Sequence, residues 1–224
     1  MPHMERDGIK LSYEETGAGG PPMVFVHGWC CNRTHFAAQV AHFSPSHRCV
    51  TLDLRGHGDS DKPEDAYSIA GFADDVAWLC GQIGARKPVI VGHSMGGAIA
   101  LSLAARHPEL PAAIVMLDGA VFPPPALLAM VEPLAAAFAS PGYAEPLRAI
   151  FEQMFLPTDN AGRRADIVAK AIETPQHVAA AEWSALWSNN WAADASACTV
   201  PALTRAALVC QRLTGSRRTP TSLR

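Results

Sequence analysis

The chain has 224 residues, an apolar fraction of 49% and a charged fraction of 17%, which excludes a mainly disordered chain and allows one domain with a substantial core. No apolar run approaches the roughly 18 residues that span a bilayer, and the first residues are too polar for a signal peptide. A net charge of -3 gives no electrostatic reason to expect nucleic-acid binding. The six cysteines have no metal-type spacing, so we expect reduced thiols in a cytoplasmic protein.

The first half of the chain alternates strand and helix signals. Strands are predicted at residues 9–14, 23–26, 49–52, 88–91 and 113–117. All but the first are continuous apolar runs, as expected for strands that are buried on both faces. Between residues 69 and 83 apolar residues recur at helical spacing, which predicts a helix that Ser68 caps and Gly84 ends. This alternation is typical of an α/β protein with a parallel sheet and helices on both faces.

From Val121 the strand signals stop, and the sequence becomes rich in alanine with helical patches. Trp183, Trp187 and Trp191 follow at i, i+4 and i+8, which predicts one side of a helix. We expect this stripe to pack on the core, the alternative being an aromatic wall over a substrate cleft. The predicted organisation is a core over 1–120, a helical insertion over 121–197 and an atypical C-terminal segment over 198–224.

The strongest local signal is Gly92-His93-Ser94-Met95-Gly96, which matches G-x-S-x-G between a predicted strand and a predicted helix. The chain must turn sharply there, so the Ser94 backbone is expected to be strained, and large side chains at Gly92 and Gly96 would obstruct the turn. The hydroxyl then stands above the sheet at a helix N-terminus, which favours a developing anion. Ser94 is therefore the predicted nucleophile, and His93 is expected to point away from it.

Two further loops support this arrangement. His27 and Gly28 follow the strand at 23–26, and the Trp29 N–H would then face the nucleophile. Together with the N–H of Met95, it would form an oxyanion hole. The second loop, Asp53-Leu54-Arg55-Gly56-His57-Gly58-Asp59-Ser60, follows the strand at 49–52. We expect this loop to be a rigid turn with internal hydrogen bonds and no catalytic role.

Three segments, HGW at 27–29, DLRGHGDSDKP at 53–63 and GHSMGG at 92–97, together resemble the α/β-hydrolase family. The resemblance implies the α/β-hydrolase fold, hydrolysis of esters, amides, epoxides or carbon–carbon bonds, and a Ser-Asp-His triad. It also implies a cap between strands six and seven, in the place of residues 121–197, and the start of strand seven in the segment 198–224, which then continues as an atypical arginine-rich tail. The serine at position 94 makes the chain resemble esterases and carbon–carbon hydrolases more than epoxide hydrolases or haloalkane dehalogenases, which have an aspartate at this position.

This sequence does not contain all three residues of the family's triad at their expected positions. The family's histidine follows the eighth strand, but the last of the nine histidines here is His177, within the insertion. Its acid usually follows strand seven, whereas the segment that begins at Val200 continues without an acidic residue. A minority of the family places the acid after strand six, the position of Asp118. Asp118 is therefore either the orienting acid or a strand-end residue with local hydrogen bonds.

The C-terminal segment differs in charge from the rest of the chain. Residues 204–224 contain five arginines and no acid, whereas the preceding residues carry a charge of -8. This step suggests an out-of-frame or truncated ending that lacks the final strands. The strand at 113–117 would then be an edge, and we expect poor solubility or association through it.

These observations predict a serine hydrolase, most simply a carboxylic-ester hydrolase that acts on a small acyl substrate. A carbon–carbon hydrolase of ring-cleavage products and a catalytically dead hydrolase-fold protein remain as alternatives. No metal or nucleotide cofactor is predicted, because the corresponding spacings are missing. The expected partner is a small-molecule ester, without nucleic acid or membrane, and the sequence sets no oligomeric state.

Overall fold

Eight strands of one sheet form the framework of the protein. The computed structural model describes residues 2–64, 67–119, 121, 123, 125–205 and 222–223. Within these residues the strands are β1 (His3–Arg6), β2 (Ile9–Thr16), β3 (Met23–Val26), β4 (Cys49–Leu52), β5 (Val89–His93), β6 (Ala113–Leu117), β7 (Ala202–Arg205) and β8 (Ser222–Leu223). They lie in the order β1-β2-β4-β3-β5-β6-β7-β8.

The centre of the sheet is parallel, as the sequence predicts. Strands β4, β3, β5, β6 and β7 pair in parallel, and β1, β2 and β8 pair antiparallel with their neighbours. All four residues of β4 are buried, because helices and loops cover both faces of the sheet there. The four apolar runs of the sequence are thus confirmed as central strands, and β1 is an additional strand that the sequence analysis missed.

Three helices pack on the first part of the sheet: α1 (Ala37–Phe43), α2 (Ile69–Gln82) and α3 (Met95–Arg106). Helix α2 is the predicted amphipathic helix, and the Ser68 hydroxyl caps it by accepting a hydrogen bond from the Gly71 N–H. After the helix, Gly84 has a φ of +63°, a conformation that glycine adopts without strain. The predicted start and end of this helix are therefore confirmed.

Alternate residues of the central strands β3, β4, β5 and β6 enter two separate hydrophobic clusters. Val24 and Val26 face the larger cluster, which includes α2, α3 and much of the helical segment between β6 and β7. Phe25 faces a smaller cluster on the other side of the sheet, with Phe36, Val40 and other side chains near α1. The larger cluster lies on the same side as the helices that position the candidate site.

The segment between β6 and β7, called here the helical insertion, consists of helices in the described residues 125–197. These are α4 (Pro125–Phe138), α5 (Ala144–Gln153), α6 (Ala161–Ile172), α7 (Gln176–Ser188) and α8 (Trp191–Ala197). Among the residues that the structure describes, no helix combines the length and the apolar character needed to cross a bilayer.

The prediction that three tryptophans share one helix is wrong at the third position. Trp183 and Trp187 lie in α7, but that helix ends at Ser188 and Trp191 begins α8. The Asn190 side chain caps the new helix by accepting a hydrogen bond from the Ala193 N–H, which favours a break at this point. Both Trp183 and Trp191 are nevertheless buried in the larger cluster, as the packing interpretation requires.

The prediction that β6 would be an edge strand is also wrong. Residues Ala202–Arg205 form β7, which pairs in parallel with β6, and the two residues of β8 pair antiparallel with β7. The backbone of β6 therefore has partners on both sides, and the expected association through that edge loses its structural basis. Residues 206–221, which include most of the arginines of the C-terminal segment, lie outside the described residues.

Candidate active site

Ser94 lies on a sharp turn between the end of β5 and the start of α3. Its backbone has φ 52° and ψ -117°, which is unusual for a residue other than glycine. The Ser94 N–H donates to the Leu117 carbonyl at 3.0 Å, and its carbonyl accepts from the Gly97 N–H at 2.9 Å. These bonds hold the turn from both sides. The Ser94 side chain is partly exposed and has no hydrogen bond with the described residues.

Two glycines are required by the close approach of backbones at this turn. A Cβ on Gly92 would lie 2.0 Å from the Gly96 carbonyl oxygen, and a Cβ on Gly96 would lie 2.1 Å from the Val26 carbonyl oxygen. Both contacts involve backbone atoms, which cannot move away as a side chain can. The two glycines of the motif therefore allow β5, α3 and the end of β3 to meet around Ser94.

We expect Gly92→Ala to lower the free energy of unfolding by about 3 kcal/mol, because the new methyl group would overlap the Gly96 backbone. Gly81→Ala is the matched control. Gly81 lies in α2 with no atom within 4 Å of its would-be Cβ, so alanine should stabilise the helix by up to about 1 kcal/mol. Urea denaturation of both variants measures the difference, and equal effects would contradict this account of the turn.

The loop after β3 lies directly against Ser94. A Cβ on Gly28 would lie 3.2 Å from the Ser94 Cβ and 3.2 Å from the His93 carbonyl oxygen. The buried His27 side chain fixes this loop, since Nδ1 is 2.8 Å from the Gly28 carbonyl oxygen and Nε2 accepts from the Leu54 N–H at 3.0 Å. Burial, and then the nearby His57, holds the pKa of His27 well below its ordinary value. A neutral imidazole with its proton on Nδ1 satisfies both contacts.

Of the two predicted oxyanion donors, Met95 directly follows Ser94, and Trp29 directly follows Gly28, which lies against the Ser94 Cβ. Met95 is the first residue of α3, where a backbone N–H has no partner within its own helix. Among the described residues, neither the Met95 N–H nor the Trp29 N–H has an acceptor. The Trp29 side chain is buried and its Nε1 donates to the Ala179 carbonyl of α7 at 3.0 Å. Both amides are therefore available to an acceptor bound beside Ser94.

The loop from Asp53 to Ser60 is a hydrogen-bonded turn around one buried carboxylate, as predicted. Asp53 is fully buried, forms an ion pair with Arg33 and accepts hydrogen bonds from the N–H groups of Arg33 and Asp59 at 2.8 and 3.0 Å. The Ser60 hydroxyl donates to the Asp53 carbonyl at 2.7 Å. This network fixes the loop whose Leu54 N–H holds His27.

All nine histidines lie within the described residues, and none of them has a hydrogen bond to the Ser94 hydroxyl. His107 ends α3, as expected, and its Nε2 lies 2.8 Å from Asp74. His177 is exposed, with its Nε2 3.3 Å from the Lys62 carbonyl oxygen. None of the nine histidines therefore takes the part of the triad histidine by bonding to Ser94.

Besides His27, two imidazoles interact electrostatically with each other on this side of the molecule, His93 and His35. His93 precedes Ser94 and is exposed, although the surrounding protein lowers its pKa and Asp118 opposes this shift. His35 was given no role by the sequence analysis. Its partial burial, with Lys170 and His93 next in importance, lowers the pKa of His35 to about 4. His35 is therefore neutral near pH 7 and able to accept a proton.

Asp118 immediately follows β6, with a φ of 50° and its N–H 2.6 Å from the Arg205 carbonyl oxygen. Because the preceding Leu117 carbonyl accepts from the Ser94 N–H, Asp118 lies beside the turn that carries Ser94. Its carboxylate acts electrostatically on His93. Asp118 thus has one feature of each interpretation: the hydrogen bond at the strand end fits a structural role, and the proximity to Ser94 fits an orienting acid.

A sequence model described as alpha/beta hydrolase fold matches residues 21–158, which is more than half of the chain. The 2-(acetamidomethylene)succinate hydrolase of Mesorhizobium japonicum is 36% identical over 110 residues, covering 49% of this chain and 39% of that protein. The bifunctional esterase/perhydrolase of Acinetobacter calcoaceticus is 36% identical over 120 residues, covering 53% of this chain and 44% of that protein. These matches span less than half of either relative.

Solved structures resemble the chain over more of its length. The enol-lactonase of Burkholderia xenovorans LB400 aligns with a TM-score of 0.80 at 25% identity, over 91% of this chain and 80% of that one. A thermophilic esterase from Thermogutta terrifontis aligns with a TM-score of 0.73 at 26% identity, over 90% of this chain and 76% of that one. The fold of this chain is therefore shared with proteins named as an enol-lactonase and an esterase.

Proposed function

Since the chain belongs to the α/β-hydrolase fold family, we propose that it is a serine hydrolase that cleaves carboxylic esters of small acyl substrates through Ser94. The observation that carries this proposal is the strained turn at Ser94, with Gly28 against its Cβ and, among the described residues, no acceptor for the Trp29 and Met95 N–H groups. Such a turn exposes one hydroxyl to a bound carbonyl group. Among the relatives, the esterase/perhydrolase and the esterase are named for ester chemistry.

The chemistry begins when the Ser94 Oγ attacks the ester carbonyl carbon and its proton passes to a base. The carbonyl electron pair moves onto oxygen, and the Trp29 and Met95 N–H groups donate to that oxyanion. Its collapse expels the alkoxide, which takes up a proton, and leaves an acyl-serine. Water then repeats the sequence and releases the acid. Asp118 would orient and stabilise a protonated imidazole on this side of the sheet, where its carboxylate already acts on His93.

In this proposal residues 1–120 are the catalytic core and residues 121–197 are a cap that shapes the acyl side of the site. The aromatic contacts of Trp29 support the assignment, because its ring lies 5.0 Å from Phe138 of α4 and 5.1 Å from Trp183 of α7. An apolar wall beside a reacting carbonyl favours small apolar acyl groups and excludes water. The alternative, a hydrolase-fold protein without catalysis, is favoured by the lack of a histidine bonded to Ser94.

A fluorophosphonate probe tests the nucleophile directly, because it reacts covalently with activated serines. We expect labelling at Ser94, identified by peptide mapping, and loss of that label in Ser94→Ala. Ser184→Ala, which removes an exposed serine of α7, is the matched control and should label as the unchanged protein does. Modification of a different serine would overturn the assignment, and no labelling at all would favour the catalytically dead alternative.

A further inference from the structure

A buried acid–base pair joins the helical insertion to the core. The His57 side chain, in the loop after β4, and the Glu182 side chain, in α7, are both 0% exposed, and His57 Nε2 lies 3.1 Å from Glu182 Oε2. Neither carboxylate oxygen has a hydrogen bond of good geometry from the described residues. A buried carboxylate that is held mainly by one imidazole depends strongly on the proton that the two groups share.

The same face of α7 makes further contacts with the core. The Val178 Cγ1 lies 2.6 Å from the position that a Cβ on Gly56 would take, so this side chain packs directly on the backbone beside His57. One residue further, the Ala179 carbonyl accepts from Trp29 Nε1. One turn beyond, Trp183 stacks against the Trp29 ring. Glu182 thus lies between two residues that hold Trp29.

Trp29 connects this docked helix to the candidate nucleophile. Its ring is fixed by α7, while its backbone follows Gly28, which lies against Ser94. A displacement of α7 would therefore move the residue whose N–H the proposed mechanism assigns to the oxyanion. Donors to an oxyanion act only at short range, so small movements change the rate.

We propose that Glu182 is a positioning residue whose contact with His57 docks α7 on the core and thereby holds the Trp29 amide beside Ser94, and that docking weakens as pH rises through neutrality. The role assigned to the Trp29 amide rests on the proposed function. The docking itself rests on the contacts of α7 with the core and does not depend on catalysis.

The sign of the pH effect follows from the pair. Burial raises the pKa of Glu182 above its ordinary 4.5, with His57 acting in the opposite direction. Burial alone would lower the pKa of His57, but Glu182 more than offsets this and raises it above 6.5. Groups whose pKa is raised in the docked state stabilise it below their ordinary pKa and lose that contribution as pH rises through the raised value. The Glu182 contribution is therefore lost at a pH above 4.5 and the His57 contribution above 6.5, so docking should weaken as pH rises through neutrality.

The other ionisable groups that face the pair do not reverse this sign. His27 stacks edge-on against His57 and is kept neutral by burial, and Asp53 is paired with Arg33. Cys30 and Cys31 lie near Glu182, and burial raises the pKa of both thiols, to about 12 for Cys31. His27 and the two thiols therefore keep their protonation between about pH 6 and pH 9, and Glu182 and His57 dominate the titration.

Near-ultraviolet circular dichroism provides a readout that needs no activity, because the stacked Trp29 and Trp183 rings report docking of α7. We expect the tryptophan bands to lose intensity reversibly between about pH 6 and pH 9, with far-ultraviolet signal retained. Glu182→Gln keeps the shape of the side chain and removes its charge, so its bands should stay constant. Glu173→Gln makes the same change at an exposed position of the insertion and should titrate as the unchanged protein does.

Labelling of Ser94 by a fluorophosphonate over the same pH range gives the second readout. The ratio of the rate in the unchanged protein to that in Glu182→Gln should fall as pH rises. Equal titration of the two proteins by circular dichroism, or no titration in either, would overturn the docking proposal whatever the labelling shows. A titration that Glu182→Gln abolishes, together with an unreactive Ser94, would instead support docking and overturn the proposed function.

Discussion

Asp53→Ala is expected to lower the free energy of unfolding by about 3–5 kcal/mol, enough to unfold a marginally stable domain. The Asp53 carboxylate is fully buried and neutralises Arg33, whose side chain is only 5% exposed. Removing it leaves the guanidinium with the two partly exposed carboxylates of Glu14 and Asp59. The N–H groups of Arg33 and Asp59 also lose their buried acceptor.

Asp166→Ala is the matched control, because it also removes an aspartate from an ion pair. Asp166 pairs with Lys170 one turn away on α6, and its side chain is 57% exposed. Exposed pairs of this kind contribute less than about 1 kcal/mol, so the unfolding midpoint in urea should change little. A small effect of Asp53→Ala would show that the loop after β4 does not depend on its buried carboxylate.

The central strands and the turn at Ser94 could be predicted because their signals are local. A parallel strand that is buried on both faces must be apolar, and Met23–Val26 meets that requirement within four residues. The turn at Ser94 needs glycine on both sides, and these glycines stand in the sequence. The β1–β2 hairpin also has a local signal, the Asp7-Gly8 pair with φ values of 53° and 79°, which the sequence analysis did not use.

Other features depend on contacts between distant parts of the chain. The segment from Val200 is predicted as the start of strand seven, but its pairing with β6 through Arg205 could not be predicted from the charge step or from the loss of the family pattern. Glu182 has an ionisable side chain, yet it lies on the buried face of α7 with Val178, Ala179 and Trp183. Helical periodicity places Glu182 on that face, but its partner His57 is known only from the folded structure.

We expect Ser94-dependent hydrolysis of p-nitrophenyl acetate by this chain to lie well below the usual range of about 1–10³ s⁻¹. Without a base the Ser94 hydroxyl remains protonated and is a weak nucleophile. An oxyanion hole and binding alone can still supply about 10³–10⁴-fold over water. A small rate that disappears in Ser94→Ala is therefore the expected result.

Free imidazole distinguishes a missing base from a damaged site. If the Trp29 and Met95 amides and Ser94 are correctly placed, added imidazole should raise the rate in proportion to its neutral fraction, because it can accept the hydroxyl proton. Ser94→Ala, measured in the same imidazole concentrations, subtracts the reaction of imidazole with the ester. An increase that requires Ser94 would show that the site lacks only its base.

Turnover within the usual range without added imidazole would contradict this account, because one of the chain's own imidazoles must then serve as base. His35 and His93 would be the first to test, since their charges interact and Asp118 acts on His93. The lowered pKa of His35, about 4, predicts that activity which depends on it persists to lower pH than activity which depends on an ordinary histidine. His35→Ala and His93→Ala, compared with exposed His42→Ala, would identify the base from the loss of turnover.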